Sequence, residues 1–456
     1  MMYRGVLKAS ALAMMLAWSA TGGAHAQSIT QALTAAYDHA PDLQSALLAA
    51  KAQSEGIVQA KAGALPTIGA QIAGTNGTSL VGGNWNGSSS LTAGLSYNQT
   101  IFDNNSTAAQ VELARAQAEV AEYQIRSTEQ EVFYNVIQAY MAVLSGRELL
   151  SLRQDNVTFF QAQFQSANDR LEVGEGTRID VAQAQARLAQ GQAGLQAASG
   201  TLQSSEATFQ RLVGQRPQNL STSHAYANLI PRSIDAAISE AEMGHPAILL
   251  SKAGIRAAQA GSDVADASYF GATASVTGQV GSSWTGPSGA PGRDGISASM
   301  GFNITVPIYS GGRMGSAVRQ ANLNQIKSEV DAMSAYDQIR EAVIAAWTGI
   351  QSADAQISAA QAAVSASNTA LDGVIQERDL GAATTLDVLN AQADLISARE
   401  TLINASSNKT IATFALLSAM GRLTAQDLGL AVEVKTAVPY TQAVEDVWQE
   451  LRTVAE

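Results

Sequence analysis

The sequence predicts a mixed α/β membrane protein in which long α-helical coiled-coil hairpins alternate with β-hairpins. Three observations support this fold class. A 15-residue motif occurs twice, the hydrophobic period changes from about 3.6 to 2 once in each half, and heptad repeats extend over very long segments. We therefore expect an internal two-fold sequence repeat, with four transmembrane β-strands in each chain.

The duplicated motif occupies residues 174–188 and 381–395, an offset of 207 residues, and 8 of its 15 positions are identical. Gly214 and Gly421 keep this offset downstream without a gap. The length of 456 residues is therefore explained by a duplication rather than by two unrelated domains. The predicted divisions are a leader at 1–26, a first repeat at 27–231, a second repeat at 232–423 and a C-terminal equatorial segment at 424–456.

Residues 1–26 have the pattern of a secretory signal peptide. Arg4 and Lys8 precede a largely apolar run, and Ala24-His25-Ala26 offers the small residues that a signal peptidase reads. We expect export across the inner membrane of a bacterium, with a mature start at Gln27. Without the leader the chain has 25 basic and 39 acidic residues, a net charge of −14, which argues against a nucleic-acid partner. The absence of cysteine excludes disulfides and a lipid-modified N-terminal cysteine.

A helical segment is predicted at the start of each repeat. In the first repeat, apolar residues recur at helical spacing from Ile29 to Ala64, with a break at Pro41 and an end before Pro66. The counterpart begins at Ile234 and has Pro246 in the place of Pro41. The repeat therefore includes this segment.

Each helical segment is followed by residues that alternate between apolar and polar. In the second half the alternation surrounds a Gly- and Pro-rich connection at 286–292. The first half has a weaker copy, in which 68–72 and 91–101 are separated by a loop rich in Gly, Asn and Ser. The apolar positions of the second half are Phe270, Ala272, Ala274, Val276, Val280 and Trp284 before the connection, and Ile296, Ala298, Met300, Phe302, Ile304, Val306 and Ile308 after it.

Alternation alone is more often the sign of a half-buried sheet in a soluble protein. Here the polar faces carry small uncharged residues, and no other β-rich segment is present to cover the apolar faces. Four strands cannot close a membrane barrel, because the smallest barrels need about eight. We therefore expect other copies of the chain to complete the barrel.

The longest predicted elements are heptad-repeat helices, which at about 1.5 Å per residue would extend roughly 90 to 100 Å. A glycine between two such helices marks a reversal, so Gly174 and Gly381 are predicted to lie at the tips of two helical hairpins. The heptad positions in the first half are Val136, Val143, Leu150, Val157, Phe164 and Leu171, and those in the second half are Tyr336, Val343, Ile350, Ile357, Val364 and Leu371.

No residue pattern supports an enzyme. After removal of the leader the histidines are His39, His224 and His245, and none has a carboxylate at metal-binding spacing. The sequence contains no nucleophile elbow, phosphate loop or dinucleotide fingerprint. We predict no catalytic residue, no cofactor and no metal site.

Asp180 and Asp387 allow two interpretations. In the first, Thr177 and Thr384 are helix N-caps and each aspartate lies three residues later, near the positive end of the helix dipole. In the second, symmetry-related copies bring the carboxylates into rings at the narrow end of a tube, where they attract cations and define a closed state. Both can hold at once.

Over essentially the whole mature chain, the sequence resembles the TolC-like outer-membrane efflux proteins. The resemblance is carried by the segment from Ile29 to Pro66, by the strand-to-helix junctions at 99–103 and 307–312, and by both tip motifs, with Val173-Gly174 and Leu380-Gly381. It implies a homotrimer whose chains each supply four strands to one β-barrel in the outer membrane, continued through the periplasm by an α-helical barrel. It further implies a passive exit duct for small toxic compounds or secreted polypeptide.

The resemblance also implies partners and roles for residues. An inner-membrane pump or ABC transporter would supply the energy, and a periplasmic adaptor would dock at Val173, Gly174, Leu380 and Gly381. In the best-known member, aspartates of the second tip hairpin form a selectivity ring. Asp387 occupies one such position and Asn390 the next, which implies a ring with less charge. The remaining predicted gate residues are Asp180 and Arg378, for which we expect an ion pair with each other.

Two other classes of protein are consistent with part of the pattern. A structural or adhesive trimeric coiled-coil protein of the envelope would have its strands confined to the C-terminus, whereas here hairpins interrupt the helices in both halves. A soluble periplasmic helical bundle would leave the apolar strand faces exposed to water. An outer-membrane export channel is therefore the leading hypothesis.

Overall fold

A computed structural model describes residues 27–221, 226–269, 271–287 and 293–447 of the 456-residue chain. The predicted leader at 1–26, His224 and Phe270 lie outside the described residues. In chain order the elements are α1 (Ile29–His39), α2 (Pro41–Lys61), β1 (Thr67–Val81), β2 (Asn84–Phe102), α3 (Ser106–Glu172), α4 (Arg178–Val213), α5 (Ile234–Gly244), α6 (Pro246–Tyr269), β3 (Thr273–Pro287), β4 (Arg293–Thr305), α7 (Arg313–Asp379), α8 (Thr385–Ala419) and α9 (Val438–Val444).

The order of elements repeats once, as the sequence predicts. The series α1, α2, β1, β2, α3, α4 is followed by the matching series α5, α6, β3, β4, α7, α8. The long helices α3 and α7 each contain 67 residues. In the described part of the chain, no helix combines the length and apolar character that crossing a membrane requires.

The chain divides into two compact units, and each unit contains parts of both repeats. The first unit comprises the chain up to Leu43, Glu129–His245 and Ile339–Val434, and the second comprises Gln44–Thr128, Pro246–Gln338 and the chain from Lys435.

The second unit contains a four-stranded antiparallel sheet in the order β1-β2-β3-β4. The first hairpin differs from the sequence prediction, because β1 and β2 are joined by a two-residue turn instead of a long Gly/Asn/Ser-rich loop. Gly82 and Gly83 have φ values of 61° and 84°. Positive φ at both central residues characterises a type I′ turn, whose twist matches that of the flanking strands, so the small polar residues remain in the ladder.

The second hairpin also departs from its predicted limits. The predicted alternation extends to Ile308, but β4 ends at Thr305.

The register between β2 and β3 shifts between Thr100 and Phe102, a β-bulge that places Phe102 opposite Ala274.

The sheet has one apolar and one polar face, as predicted. In the ladder, Ala70, Leu95, Val280 and Ala298 occupy one continuous row, so they share a face. Large apolar side chains on this face are mostly exposed in the single chain; Met300 is 84% exposed. The polar rows consist almost entirely of Gly, Ser, Thr, Asn and Gln.

In the second unit, the C-terminal segment is anchored on α2 and α3. Glu122 of α3 accepts hydrogen bonds from the Thr436 hydroxyl at 2.7 Å and the Ala437 amide at 2.9 Å. The Tyr440 hydroxyl donates to Glu55 of α2 at 2.6 Å. These bonds hold the chain at the start of α9.

The first unit contains α1, α4, α5 and α8, together with α3 from Glu129 and α7 from Ile339. Predicted heptad residues are buried in it: Val136 and Val143 of α3 are 1% and 0% exposed, respectively. The Tyr140 hydroxyl lies 2.7 Å from the carbonyl oxygens of both Gln27 and Ser221. Burial raises the pKa of Tyr140 to about 12, so the hydroxyl remains a donor at neutral pH.

His245 caps the C-terminus of α5 and is buried in the first unit. Burial lowers the pKa of His245 from 6.5 to about 4, against the opposing effect of a hydrogen bond to the Ser418 backbone. The imidazole is therefore neutral in the folded protein at pH 7. In the unfolded chain it takes up a proton as the pH falls below about 6.5.

The first prediction concerns acid stability. Because the folded state resists protonation of His245, its contribution to the free energy of unfolding is lost as the pH falls from about 6.5 to 4, by roughly 3 kcal/mol in total. H245Q should lose about 2 kcal/mol less than the wild type between pH 7.5 and pH 4.5 in denaturant titrations. An equal acid-induced loss in the two proteins would contradict this assignment.

Candidate gate at the helical tips

The two helical hairpins reverse through turns of the same geometry. Between α3 and α4, Gly174 has a φ of 82°, and its amide donates to the Leu171 carbonyl at 3.1 Å. Between α7 and α8, Gly381 has a φ of 79°, and its amide donates to the Arg378 carbonyl at 3.0 Å. A left-handed residue after a helix favours glycine, because a Cβ would clash with the backbone. Both glycines are therefore required by the turn itself.

Each second helix begins with a reciprocal capping box, which confirms the structural interpretation of the two aspartates. The Thr177 hydroxyl accepts from the Asp180 amide at 3.2 Å, while the Thr177 amide donates to the Asp180 carboxylate at 3.1 Å. In the second hairpin, the Thr384 amide donates to the Asp387 carboxylate at 2.8 Å. Hydrogen bonds from the Thr384 side chain and backbone lower the pKa of Asp387, so it is ionised at neutral pH.

The tips expose apolar side chains. Val173 is 71% exposed and Leu380 is 86% exposed, both at positions predicted to meet an adaptor. The sequence interpretation missed Ile179, which is 68% exposed in the first turn of α4, and its counterpart Leu386. The shared offset of 207 residues was the signal that could have identified this second pair. Each tip therefore presents two apolar side chains next to a carboxylate that caps a helix.

Arg378 does not form the predicted ion pair with Asp180 within this chain. Its guanidinium donates to Gln163 of α3 at 2.6 Å and to the neighbouring Asp379 at 2.8 Å. Asp180 instead accepts the hydrogen bonds of its own cap, Thr177. The local cap and the contact with α3 satisfy the two side chains separately, which is why the pair does not form.

Asn390 connects the two hairpins. Arg187 of α4 donates to the Asn390 side-chain oxygen of α8 at 2.8 Å. With the contact between Arg378 and Gln163, this bond gives two polar links near the tips between the first hairpin (α3 and α4) and the second (α7 and α8). Sequence reasoning missed Arg187 and Gln163, because contacts between residues about 200 positions apart leave no mark in local periodicity.

Further from the tips, the same hairpins are joined by buried groups. Gln392 of α8 donates to Asn156 of α3 at 3.3 Å, and both side chains are buried. Arg153 forms an ion pair with Glu400. The same hairpins share an apolar cluster that includes Phe160, Ala184 and Leu389. The hairpins are thus held together by a packed and hydrogen-bonded interface whose last polar links lie at the tips.

No cluster of three or more potential metal ligands occurs in the described residues. The polar groups near the turns hold helix starts or join one hairpin to the other.

Comparison with known proteins decides the family. The model for the family described as outer membrane efflux protein matches residues 32–215 and again residues 237–422. The chain belongs to this family. It is therefore an outer-membrane protein of efflux and secretion systems and a transport protein rather than an enzyme, which confirms the leading sequence hypothesis and its predicted location.

Relatives and solved structures agree with this assignment. The chain is 34% identical over 433 residues to the outer membrane efflux protein BepC of Brucella suis, covering 94% of this chain and 92% of that one. It is 25% identical to the outer membrane protein TolC of Escherichia coli, covering 89% and 84%. The fold is similar to that of the CmeC outer membrane channel of Campylobacter jejuni, with a TM-score of 0.74, 16% identity and coverage of 86% and 85%.

The second prediction tests the tip turns of this efflux protein. G174A or G381A should destabilise its own tip by about 1 kcal/mol, because alanine is strained at positive φ. Hydrogen exchange of the amides around the altered turn should then become roughly fivefold faster. The control is G200A within α4, where an added Cβ meets nothing within 4 Å and a helical backbone favours alanine. Unchanged exchange at the tip in both tip variants would contradict the predicted strain.

Proposed function

We propose that three copies of this chain form a continuous exit duct, with a β-barrel in the outer membrane and a helical conduit that is closed at the tips and opened by a periplasmic adaptor. An inner-membrane pump or ABC transporter would drive transport through it. The observation that carries the proposal is the open four-stranded sheet, which has an exposed apolar face and belongs to an outer membrane efflux protein.

The dimensions of the apolar face fit a bilayer. From Ile296 to Ile304 the apolar positions of β4 cover about 27 Å at ~3.4 Å per residue, or about 20 Å along the membrane normal for a strand tilted by ~40°. Val306 and Ile308, which follow the end of β4, are also exposed apolar residues. The lipid-facing band of membrane barrels is about 25 Å tall. This face therefore suits outer-membrane lipid, and the polar face suits a water-filled lumen.

Closure by several copies follows from the free edges of the sheet. In the described sheet β1 and β4 each have one neighbour, so each presents unpaired backbone groups that a bilayer does not tolerate. Two copies would give eight strands, a barrel whose interior side chains fill it. Three copies give twelve strands and leave a passage.

A helical seam in the second unit supports contact between copies. More than half of each side chain is exposed at four α7 positions with heptad spacing, an apolar stripe that water disfavours and a second copy would cover. The four residues are Leu323, Ile326, Val330 and Met333.

The tips provide the gate and the docking surface. Three copies would bring Asp180 and Asp387 into acidic rings, with Asn390 contributing no charge. The apolar pairs that include Val173 and Leu380 would contact the adaptor, and Gly174 and Gly381 fix the turns that present them. Adaptor contact would open the gate by separating the hairpins, which requires breaking the links of Arg187 to Asn390 and of Arg378 to Gln163.

The third prediction tests channel and gate together. R187A removes a solvent-exposed hydrogen bond, worth about 0.5 to 1.5 kcal/mol, so the open fraction at rest should rise about twofold to tenfold. Single-channel recording in planar bilayers measures this fraction, with N390A expected to have the same effect.

The matched control is R147A, because Arg147 of α3 binds Glu206 of α4 within one hairpin. It should leave the resting conductance unchanged. Absence of any conductance from all four proteins would contradict the duct. Conducting channels with the same open fraction in the wild type and R187A would contradict only the proposed role of the link between Arg187 and Asn390.

A further inference from the structure

The sheet carries two charged side chains among its described strands, Arg293 and Asp294, and they are neighbours at the start of β4. Every other position in β1, β2, β3 and β4 is uncharged. Consecutive residues of a strand point to opposite faces, so the two charges leave the sheet on different sides.

The register assigns each charge to a face. Arg293 pairs with Thr285, which pairs with Ser90, and this row continues to Thr75. All of these residues belong to the polar face. Asp294 pairs with Trp284, which pairs with Leu91, on the apolar face. Arg293 is thus the charged side chain of the polar face, among neutral hydroxyl and amide groups.

Arg293 also lies at a defined level along the strands. It is the first residue of β4 and follows the connection from β3. The turn between β1 and β2 is at the same end of the sheet. The opposite strand ends lead into α3 and α7. If the helices extend into the periplasm, as the proposed function requires, the Arg293 end of the sheet faces the cell exterior.

We propose that the Arg293 side chains of the assembled copies form a cationic ring at the external mouth of the duct, which selects for anionic solutes and against cations as they leave. The inference rests on the proposed function, because it needs the polar face to line the lumen. Three guanidinium groups at one level would be the charges of a polar face that is otherwise neutral in the described strands, and rings of basic side chains favour anions in pores.

The reach of such a ring depends on salt. The Debye length is about 30 Å at 0.01 M, about 10 Å at 0.1 M and about 3 Å at 1 M ionic strength. A ring on the wall of a passage therefore acts across its width in dilute salt and loses its effect in concentrated salt. The dependence on salt distinguishes an electrostatic effect of Arg293 from a steric effect of its side chain.

Reversal potentials in planar bilayers under a KCl gradient test the ring. R293Q should raise the permeability ratio of K⁺ to Cl⁻ about twofold at ~0.1 M salt, R293E should raise it further, and both differences should vanish near 1 M. D294N is the matched control, since it changes the adjacent charge on the lipid-facing side, and should leave the ratio unchanged. Conducting channels in which R293E keeps the wild-type ratio in dilute salt would overturn the ring, whereas a wild type without conductance would overturn the duct itself.

Thiol labelling provides a second test, independent of selectivity at the tips. The chain has no cysteine, so R293C and D294C each introduce a single thiol. A charged, membrane-impermeant methanethiosulfonate should change the current through R293C channels in the bilayer, and should leave the current through D294C channels unchanged. A change of current in D294C channels with none in R293C channels would reverse the assignment of faces and overturn the proposal.

Discussion

The structure depends on the fact that the backbone groups and apolar side chains of a strand both need partners. The sheet of this chain satisfies its inner strands β2 and β3 but leaves one edge of β1 and one of β4 unpaired, and its apolar face is exposed in the single chain. Hydrocarbon covers such a face and excludes water from unpaired edges, which then have to pair. The proposed lipid location and assembly both follow from this one constraint.

The duplication accounts for most of the remaining elements, because the second repeat has the same order of elements as the first. Each repeat provides one β-hairpin and one helical hairpin, and the tip of each uses a left-handed glycine followed by a Thr-Asp capping box. The repeats have diverged where their surroundings differ. The exposed seam residues Ile326 and Met333 of α7 correspond at the 207-residue offset to Glu119 and Arg126 of α3, and Glu119 forms an ion pair with Arg256 of α6. Equivalent positions have therefore acquired different partners.

Local features of the fold could be predicted from the sequence. The period of 2 identifies the apolar face, Gly174 and Gly381 mark the tips, and Thr177 and Thr384 mark the helix starts, because each depends on residues within a few positions. The long loop expected after Ile72 was wrong, since composition alone does not show that Gly82 and Gly83 close a tight turn.

Contacts between distant residues could not be predicted in the same way. The expected pair of Arg378 with Asp180 does not form within the chain, because Gln163, Asp379 and Thr177 satisfy these groups. The duplication aligns the two hairpins in sequence, but the choice of polar partners at the tips depends on helix rotation and spacing.

Disulfide crosslinking between β4 and β1 of different copies tests the central claim most directly. A298C combined in turn with I68C, A70C and I72C, positions on one face of the two edge strands, should give covalent dimers and trimers on denaturing gels in at least one register. A298C with A93C is the control, because β2 is already paired on both sides. Intermolecular products from at least one edge pair, with none from the control pair, would support closure by copies of the chain. Monomer from every edge pair, in protein extracted from membranes, would contradict it.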